Sequence, residues 1–186
     1  MALDRPVAPD PYELLPTVPS FAVTSESFED GATLPDRHVY DDGGYPGANM
    51  SPHLAWSGFP EETESFVVTC FDPDAPTPAG FWHWAVIGLP ASCTELEVDA
   101  GTLDGDELPR GAFTLANDMG GRDYLGPCPP PGDRAHRYVF AVHALDTADL
   151  DIRDSSTPTA AAFQYLSHTI ARGTITGTYA EPPREA

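Results

Sequence analysis

Short apolar runs separated by Pro and Gly make up most of the chain. Within these runs apolar and polar positions alternate with a period of two, which is typical of β-strands. Pro and Gly between the runs indicate turns. Strands are therefore predicted at six places: 20–25, 53–58, 63–71, 83–89, 136–145 and 174–179.

The predicted strand 136–145 carries large or apolar side chains on both of its faces. His136 and Tyr138 lie two residues apart and share one face, whereas His143 lies on the opposite face. A strand of this kind is covered on both sides. We therefore predict a mainly β fold in which two antiparallel sheets form a sandwich, with a few short peripheral helices.

One segment near the C-terminus has the pattern of a helix, predicted from Thr159 to Arg172. Thr157 is suited to cap it and Pro158 to occupy its first turn. The residues expected to share its apolar face are Phe163, Leu166 and Ile170, and Gly173 is expected to end it.

Length and charge narrow the possible classes of protein. The chain has 186 residues, which predicts a single domain over 1–186 with a core from about 18 to 180 and frayed ends. Its 29 acidic residues outnumber 9 basic ones, all arginine, for a net charge of -20. Nucleic acids and anionic membrane surfaces should therefore be repelled at long range.

The apolar runs and the cysteines bear on localisation and on metal binding. No run is long enough for a signal peptide or a membrane span, so we expect a cytoplasmic protein without membrane insertion. The three cysteines, Cys70, Cys93 and Cys128, form no CxxC pair. We therefore predict neither a disulfide framework, nor a structural metal site, nor a cofactor.

Five polar residues are predicted to meet at one edge of the sheet. Asp72 and Asp74 follow one strand, His83 opens the next, and His136 and Tyr138 open a third. If the second and third of these strands run parallel, the Pro-rich loops beside them meet at a single rim. That arrangement predicts a small preorganised pocket.

The residue types in this pocket favour binding of an anion. A carboxylate beside a histidine favours the imidazolium form, which attracts anions. The Tyr138 hydroxyl and the backbone N–H groups of loop 126–132 add neutral donors. Prolines stiffen both loops and reduce the entropy lost in ordering them.

Four stretches of the sequence resemble the phosphatidylethanolamine-binding protein family, the family of Raf kinase inhibitor protein, and in particular its bacterial and archaeal branch. They are "MSPHLAWSGFP" at 50–60, "DPDAP" at 72–76 with the histidine of "FWHW", "GPCPPPG" at 126–132, and "HRYVFAVHALD" at 136–146. Together they cover the chain from about Met50 to Asp146 in the order that the family has them.

This resemblance implies a sandwich of two antiparallel sheets and a pocket that in relatives accepts phosphate, acetate or a phospholipid head group. Carried over by motif, the polar pocket residues are Asp72, Asp74, His83, His136 and Tyr138. The residues implied to form the rim are Pro76, Phe81, Gly126, Cys128 and Pro130.

Three classes of function stay open from the sequence. The first is a protein that binds a small anion, a phosphate, a carboxylate or a phosphoethanolamine-type head group, and this class includes regulatory or inhibitory binders. The second is an enzyme that uses the Asp and His residues for metal-assisted or acid–base hydrolysis, although no complete catalytic motif is present. The third, by analogy alone, is a kinase or protease inhibitor. A homodimer is a further expectation from the resemblance.

Overall fold

The computed structural model describes residues 4–101 and 108–184. These residues contain eight strands, one α-helix and a short 3₁₀ helix at Asp36–His38. The strands are β1 Ala22–Thr24, β2 Leu54–Ser57, β3 Ser65–Asp72, β4 Phe81–Pro90, β5 Glu95–Leu96, β6 Phe113–Thr114, β7 His136–Leu145 and β8 Thr169–Tyr179; the helix is α1, Pro158–His168.

The strands form two antiparallel sheets, as the alternating pattern predicts. The smaller sheet has the order β1-β2-β5 and the larger has the order β6-β4-β3-β7-β8. One core of buried side chains lies between the two sheets. It includes Trp56 from the smaller sheet and Phe66 and Phe140 from the larger one. A second core, including Val67 and Tyr165, brings α1 against the other face of the larger sheet. The mainly β sandwich is therefore confirmed.

The predicted helix is wrong in its end and in part of its buried face. The Thr157 hydroxyl accepts a hydrogen bond from Ala160 N at 3.1 Å, as expected of the N-cap, but the helix ends at His168. Phe163 is 83% exposed, and the buried residues of the helix include Ala161 and Tyr165; Leu166 is partly buried against the second core, as predicted.

Ile170 and Gly173, which were assigned to that helix, belong to β8. The β-branched pair that begins β8, Thr169 and Ile170, favours a strand. Gly173 is required by close packing, because a Cβ there would lie 2.5 Å from Val23 Cγ2. A glycine that permits close approach of two segments looks in sequence like one that ends a helix.

The topology brings three strand ends to one edge of the larger sheet. β3 pairs antiparallel with β4 on one side and with β7 on the other, so β4 and β7 run parallel to each other. The end of β3 at Asp72 therefore lies beside the first residues of β4 and β7. This confirms the strand directions on which the predicted pocket depends.

No helix in the described part of the chain is long and apolar enough to cross a membrane.

A candidate ligand pocket at the sheet edge

A cavity of about 250 Å³ opens where these strand ends and the two Pro-rich loops meet. Of the ten residues predicted for the site, eight line it. The lining residues are Asp72, Ala75, Pro76, Thr77, Phe81, His83, Met119, Cys128, Pro129, Pro130, His136 and Tyr138. Asp74 and Gly126 are the two predicted residues that do not line the cavity.

His136 lies between two carboxylates at the bottom of the pocket. Its Nδ1 donates to Asp72 Oδ2 at 2.7 Å, and its Nε2 lies 3.2 Å from Asp133 Oδ2. Burial would lower the pKa of His136, but the hydrogen bonds and charges of Asp72 and Asp133 outweigh burial and raise it. His136 therefore favours the imidazolium form.

Asp72 holds two partners with its two carboxylate oxygens. Oδ2 accepts from His136, and Oδ1 accepts from Asp74 N at 2.7 Å. The side chain is buried and comes directly at the end of β3. One residue thus closes the loop after the strand and orients the histidine.

The protonation state of His83 differs from that of His136. Its Nδ1 lies 2.7 Å from the backbone oxygen of Leu125, which only accepts hydrogen bonds, so Nδ1 carries a proton. Burial lowers the pKa of His83, and the nearby charge of Asp72 offsets this only in part. The neutral ring therefore keeps an unprotonated Nε2, which has no partner within the described residues.

The Tyr138 hydroxyl, beside His83 in the pocket, is a hydrogen-bond donor without an acceptor among the described residues. Its side chain is 0% exposed, and its hydroxyl has no hydrogen-bond partner among the residues described. The ring meets that of His83 edge to face, with centroids 5.0 Å apart. Burial raises the pKa of Tyr138 well above its usual value, so the hydroxyl keeps its proton.

Asp74, unlike Asp72, is turned away from the cavity. Its Oδ2 accepts from Arg137 Nε at 2.7 Å, and its Oδ1 accepts from Arg137 Nη2 at 2.9 Å. Burial alone would raise the pKa of Asp74, but the hydrogen bonds from Arg137 outweigh it and lower the pKa. Arg134 lies 3.7 Å from the same carboxylate. The geometry makes Asp74 an anchor for two arginines.

Loop 126–132 offers fewer backbone donors than expected. Four of its residues are proline and have no N–H. Gly126 N donates to Asn49 Oδ1 at 2.7 Å and Gly132 N to Glu181 O at 2.8 Å. Within the described ranges this leaves Cys128 N–H as the one loop donor without a protein acceptor.

Gly126 has a packing role. A Cβ at this position would lie 2.5 Å from the backbone oxygen of His38 and from Tyr40 N. The loop can lie against this backbone only because residue 126 has no side chain.

The Cys128 thiol lines the cavity but is poorly suited to act as a nucleophile. Burial, with a smaller contribution from Asp72, raises the pKa of Cys128 to about 11. The thiol is therefore protonated at neutral pH, and the thiolate is the nucleophilic form.

In the described part of the chain, no group of three or more His, Cys, Asp or Glu side chains is placed to hold a metal ion.

Sequence reasoning missed two charged residues beside His136. Asp133 precedes His136 by three residues in "GDRAH", a spacing that would have indicated it as a partner. Arg5 donates from Nη1 to Asp133 Oδ2 at 2.8 Å, and nothing in the sequence near Arg5 indicates this contact.

The chain is similar in sequence to known proteins. A family model described as phosphatidylethanolamine-binding protein matches residues 24–180. The UPF0098 protein YbcL of Escherichia coli K12 is 44% identical over 160 residues, covering 86% of this chain and 87% of YbcL. The chain belongs to the phosphatidylethanolamine-binding protein family.

Further relatives of this family support the prokaryotic branch predicted from the motifs. The UPF0098 protein YbhB of the same bacterium is 43% identical, covering 83% of this chain and 97% of YbhB. A UPF0098 protein of the archaeon Methanothermobacter thermautotrophicus is 35% identical, covering 83% of this chain and 95% of its own.

The fold also matches a solved structure of the phosphatidylethanolamine-binding protein family. The crystal structure of E. coli YbcL superimposes with a TM-score of 0.83 at 44% identity, covering 87% of this chain and 98% of YbcL. All four motifs on which the resemblance was based lie inside the matched residues 24–180. The family and the fold predicted from these motifs are therefore confirmed.

Proposed function

We propose that this protein binds a small anionic group, a phosphate or a carboxylate, in the pocket at the end of β3. The observation that carries the proposal is the buried Tyr138 hydroxyl, which has no partner among the described residues, beside the open Nε2 of His83. A buried donor without an acceptor costs about 1–3 kcal/mol. A ligand oxygen in the cavity would remove that cost.

The charges around the pocket are compatible with an anion, in spite of the net charge of -20. Three carboxylates lie here, and three guanidinium groups pair with two of them. The imidazolium of His136, bound to the remaining carboxylate, leaves the local charge positive by one. The carboxylates are Asp72, Asp74 and Asp133, and the guanidinium groups belong to Arg5, Arg134 and Arg137.

The volume of the cavity favours a small ligand group. Pockets for drug-sized ligands have volumes of roughly 300–1,000 Å³, and this cavity has about 250 Å³. A phosphate or carboxylate head fits, and the remainder of a larger molecule would extend past the exposed Met119 at the rim. A lipid head group and a free phosphate share this chemistry.

Calorimetric titration with inorganic phosphate, phosphoethanolamine and acetate at pH 8 and pH 6 tests the proposal. We expect binding to be about three- to tenfold tighter at pH 6, because His136 gains its proton as the pH falls through its raised pKa. His83, whose pKa is lowered, should take up a proton together with the anion. The heat should then depend on the ionisation enthalpy of the buffer.

Sulfate is the matched control ligand, because its charge does not change over this range and only the protein titrates. Tighter binding of phosphoethanolamine than of phosphate would identify a head group as the preferred source. An affinity for sulfate that is equal at both pH values would contradict a role for the histidines.

A further inference from the structure

Arg5 contacts His136, one of the residues that line the pocket, although Arg5 is outside the residues 24–180 that match the family. Its Nη1 donates to Asp133 Oδ2 at 2.8 Å, and its Nη2 lies 3.1 Å from His136 Nε2. Nη2 also donates to the backbone oxygen of Asp74. One guanidinium therefore joins three groups that surround the base of the pocket.

The backbone around Arg5 is held by the two arginines that Asp74 anchors. Arg134 donates to the backbone oxygen of Arg5 at 2.7 Å and to that of Pro6 at 2.9 Å. Arg137 donates to the backbone oxygen of Ala8 at 2.7 Å. These three bonds fix the direction from which the Arg5 side chain reaches the pocket.

A second attachment follows along the same segment. The hydroxyl of the half-buried Tyr12 lies 3.1 Å from Thr69 Oγ1 on β3, and the Arg172 guanidinium lies over the Tyr12 ring, 4.9 Å from its centroid. The segment from Arg5 to Tyr12 is therefore attached at both ends to the larger sheet.

We propose that Arg5 is a positioning residue of the anion pocket, which pairs with Asp133 so that the charge of His136 remains available to a ligand. This inference rests on the proposed function and assigns to the N-terminal segment a part in the same site.

Charged groups surround the His136 ring. Asp72 and Asp133 lie at its two ring nitrogens and Arg5 lies beside Asp133. With Arg5 present, two carboxylates are balanced by one imidazolium and one guanidinium. Without Arg5, the remaining three of these groups have a net charge of -1, and the local charge that also counts Asp74, Arg134 and Arg137 falls from +1 to zero. The other titratable residues on the pocket lining are His83, Cys128 and Tyr138.

Loss of Arg5 should have two effects of different kinds. The local charge falls by one, which weakens binding of an anion. The positive charge 3.1 Å from His136 Nε2 is also lost, so the proton is held more tightly on His136. The first effect is seen in affinity, and the second is seen in the protein without ligand.

Titration with inorganic phosphate at pH 7 measures the first effect. We expect Arg5→Ala to bind about five- to tenfold more weakly than the wild type. Arg153→Ala is the matched control, because it removes the same charge from an exposed side chain far along the sequence. In the double variant Arg5→Ala/Asp133→Asn the negative charge that Arg5 balanced is removed as well, and affinity should return to within about threefold of wild type.

The titration of His136 followed by NMR without ligand measures the second effect. Its midpoint should be higher in Arg5→Ala than in the wild type, and unchanged in Arg153→Ala. If wild type fails to bind phosphate but this midpoint moves, the proposed function is wrong and the role of Arg5 toward His136 stands. An unmoved midpoint, or phosphate binding by Arg5→Ala as tight as in wild type, overturns the inference.

Discussion

Tyr138→Phe should weaken phosphate binding by at least about tenfold while leaving the free energy of unfolding unchanged or slightly higher. The hydroxyl is buried and has no partner in the described residues, so its loss removes no hydrogen bond from the ligand-free protein. Hydrogen bonds to charged groups contribute about 1.5–3 kcal/mol, and about 1.4 kcal/mol corresponds to a factor of ten.

Tyr124→Phe is the matched control for this experiment. Tyr124 is buried in the same core, but its hydroxyl donates to the backbone oxygen of His38 at 3.1 Å and does not line the cavity. Its removal should lower the free energy of unfolding by about 1 kcal/mol and leave phosphate binding unchanged. Calorimetry and urea denaturation of both variants measure the two effects, and a loss of stability in Tyr138→Phe would show that the hydroxyl has a structural partner.

The largest loss of stability is expected for Asp72→Ala, at about 3–5 kcal/mol. This change leaves two buried groups without their acceptor, His136 Nδ1 and Asp74 N. Asp72→Asn retains one oxygen acceptor and should be affected less. The exposed carboxylate Asp154, paired with Arg122 at 2.9 Å, provides the control, because Asp154→Asn should cost less than about 1 kcal/mol.

The effect of Asp72 should also depend on pH. The folded pKa of His136 is raised above its unfolded value, so its contribution to stability is present below about pH 6.5 and is lost as the pH rises through the raised value. Asp72→Asn removes the strongest cause of that rise. The gap in unfolding free energy between wild type and Asp72→Asn should therefore be wider at pH 6 than at pH 8.5. A gap that widens toward alkaline pH would contradict the pairing.

The strand framework and four polar residues of the pocket lining could be predicted from local patterns in the sequence, whereas the rim residues were implied by the resemblance to the family. Period-two runs locate the strands. Because side chains alternate between the two faces of a strand, His136 and Tyr138, two residues apart, lie on one face of β7, and His143, an odd number of residues away, lies on the other. His143 packs against Tyr12 and Tyr165, away from the pocket. This alternation can be read from the spacing in the sequence without knowledge of the tertiary fold.

The incorrect or missing parts depend on contacts between distant residues. The orientation of Asp74 follows from Arg137, 63 positions away, and the contact of Arg5 with His136 spans 131 positions. Neither pair leaves a periodic signal. The helix was overextended for a related reason, because Gly173 is required by its packing against Val23 in the other sheet.

The pKa values of the two histidines likewise could not be predicted from the sequence, because they depend on contacts in the folded protein. Each could be predicted to lie near a carboxylate, and on that basis a raised pKa was expected for one or the other. In the fold, the pKa of His136 is raised and that of His83 is lowered. Burial lowers the pKa of both rings. For His136 the hydrogen bonds and charges of Asp72 and Asp133 outweigh burial, whereas for His83 the charge of Asp72 and the bond to Leu125 offset it only in part.

The central claim is that the open Tyr138 hydroxyl and His83 Nε2 bind an anion, and a crystal structure of the protein soaked in phosphate tests it most directly. We predict one phosphate in the cavity, with oxygens within hydrogen-bonding distance of Tyr138 Oη and His83 Nε2, and weaker occupancy in Tyr138→Phe crystals soaked in the same way. A cavity that contains only water at a saturating phosphate concentration, with these two atoms bound to that water, would contradict the account.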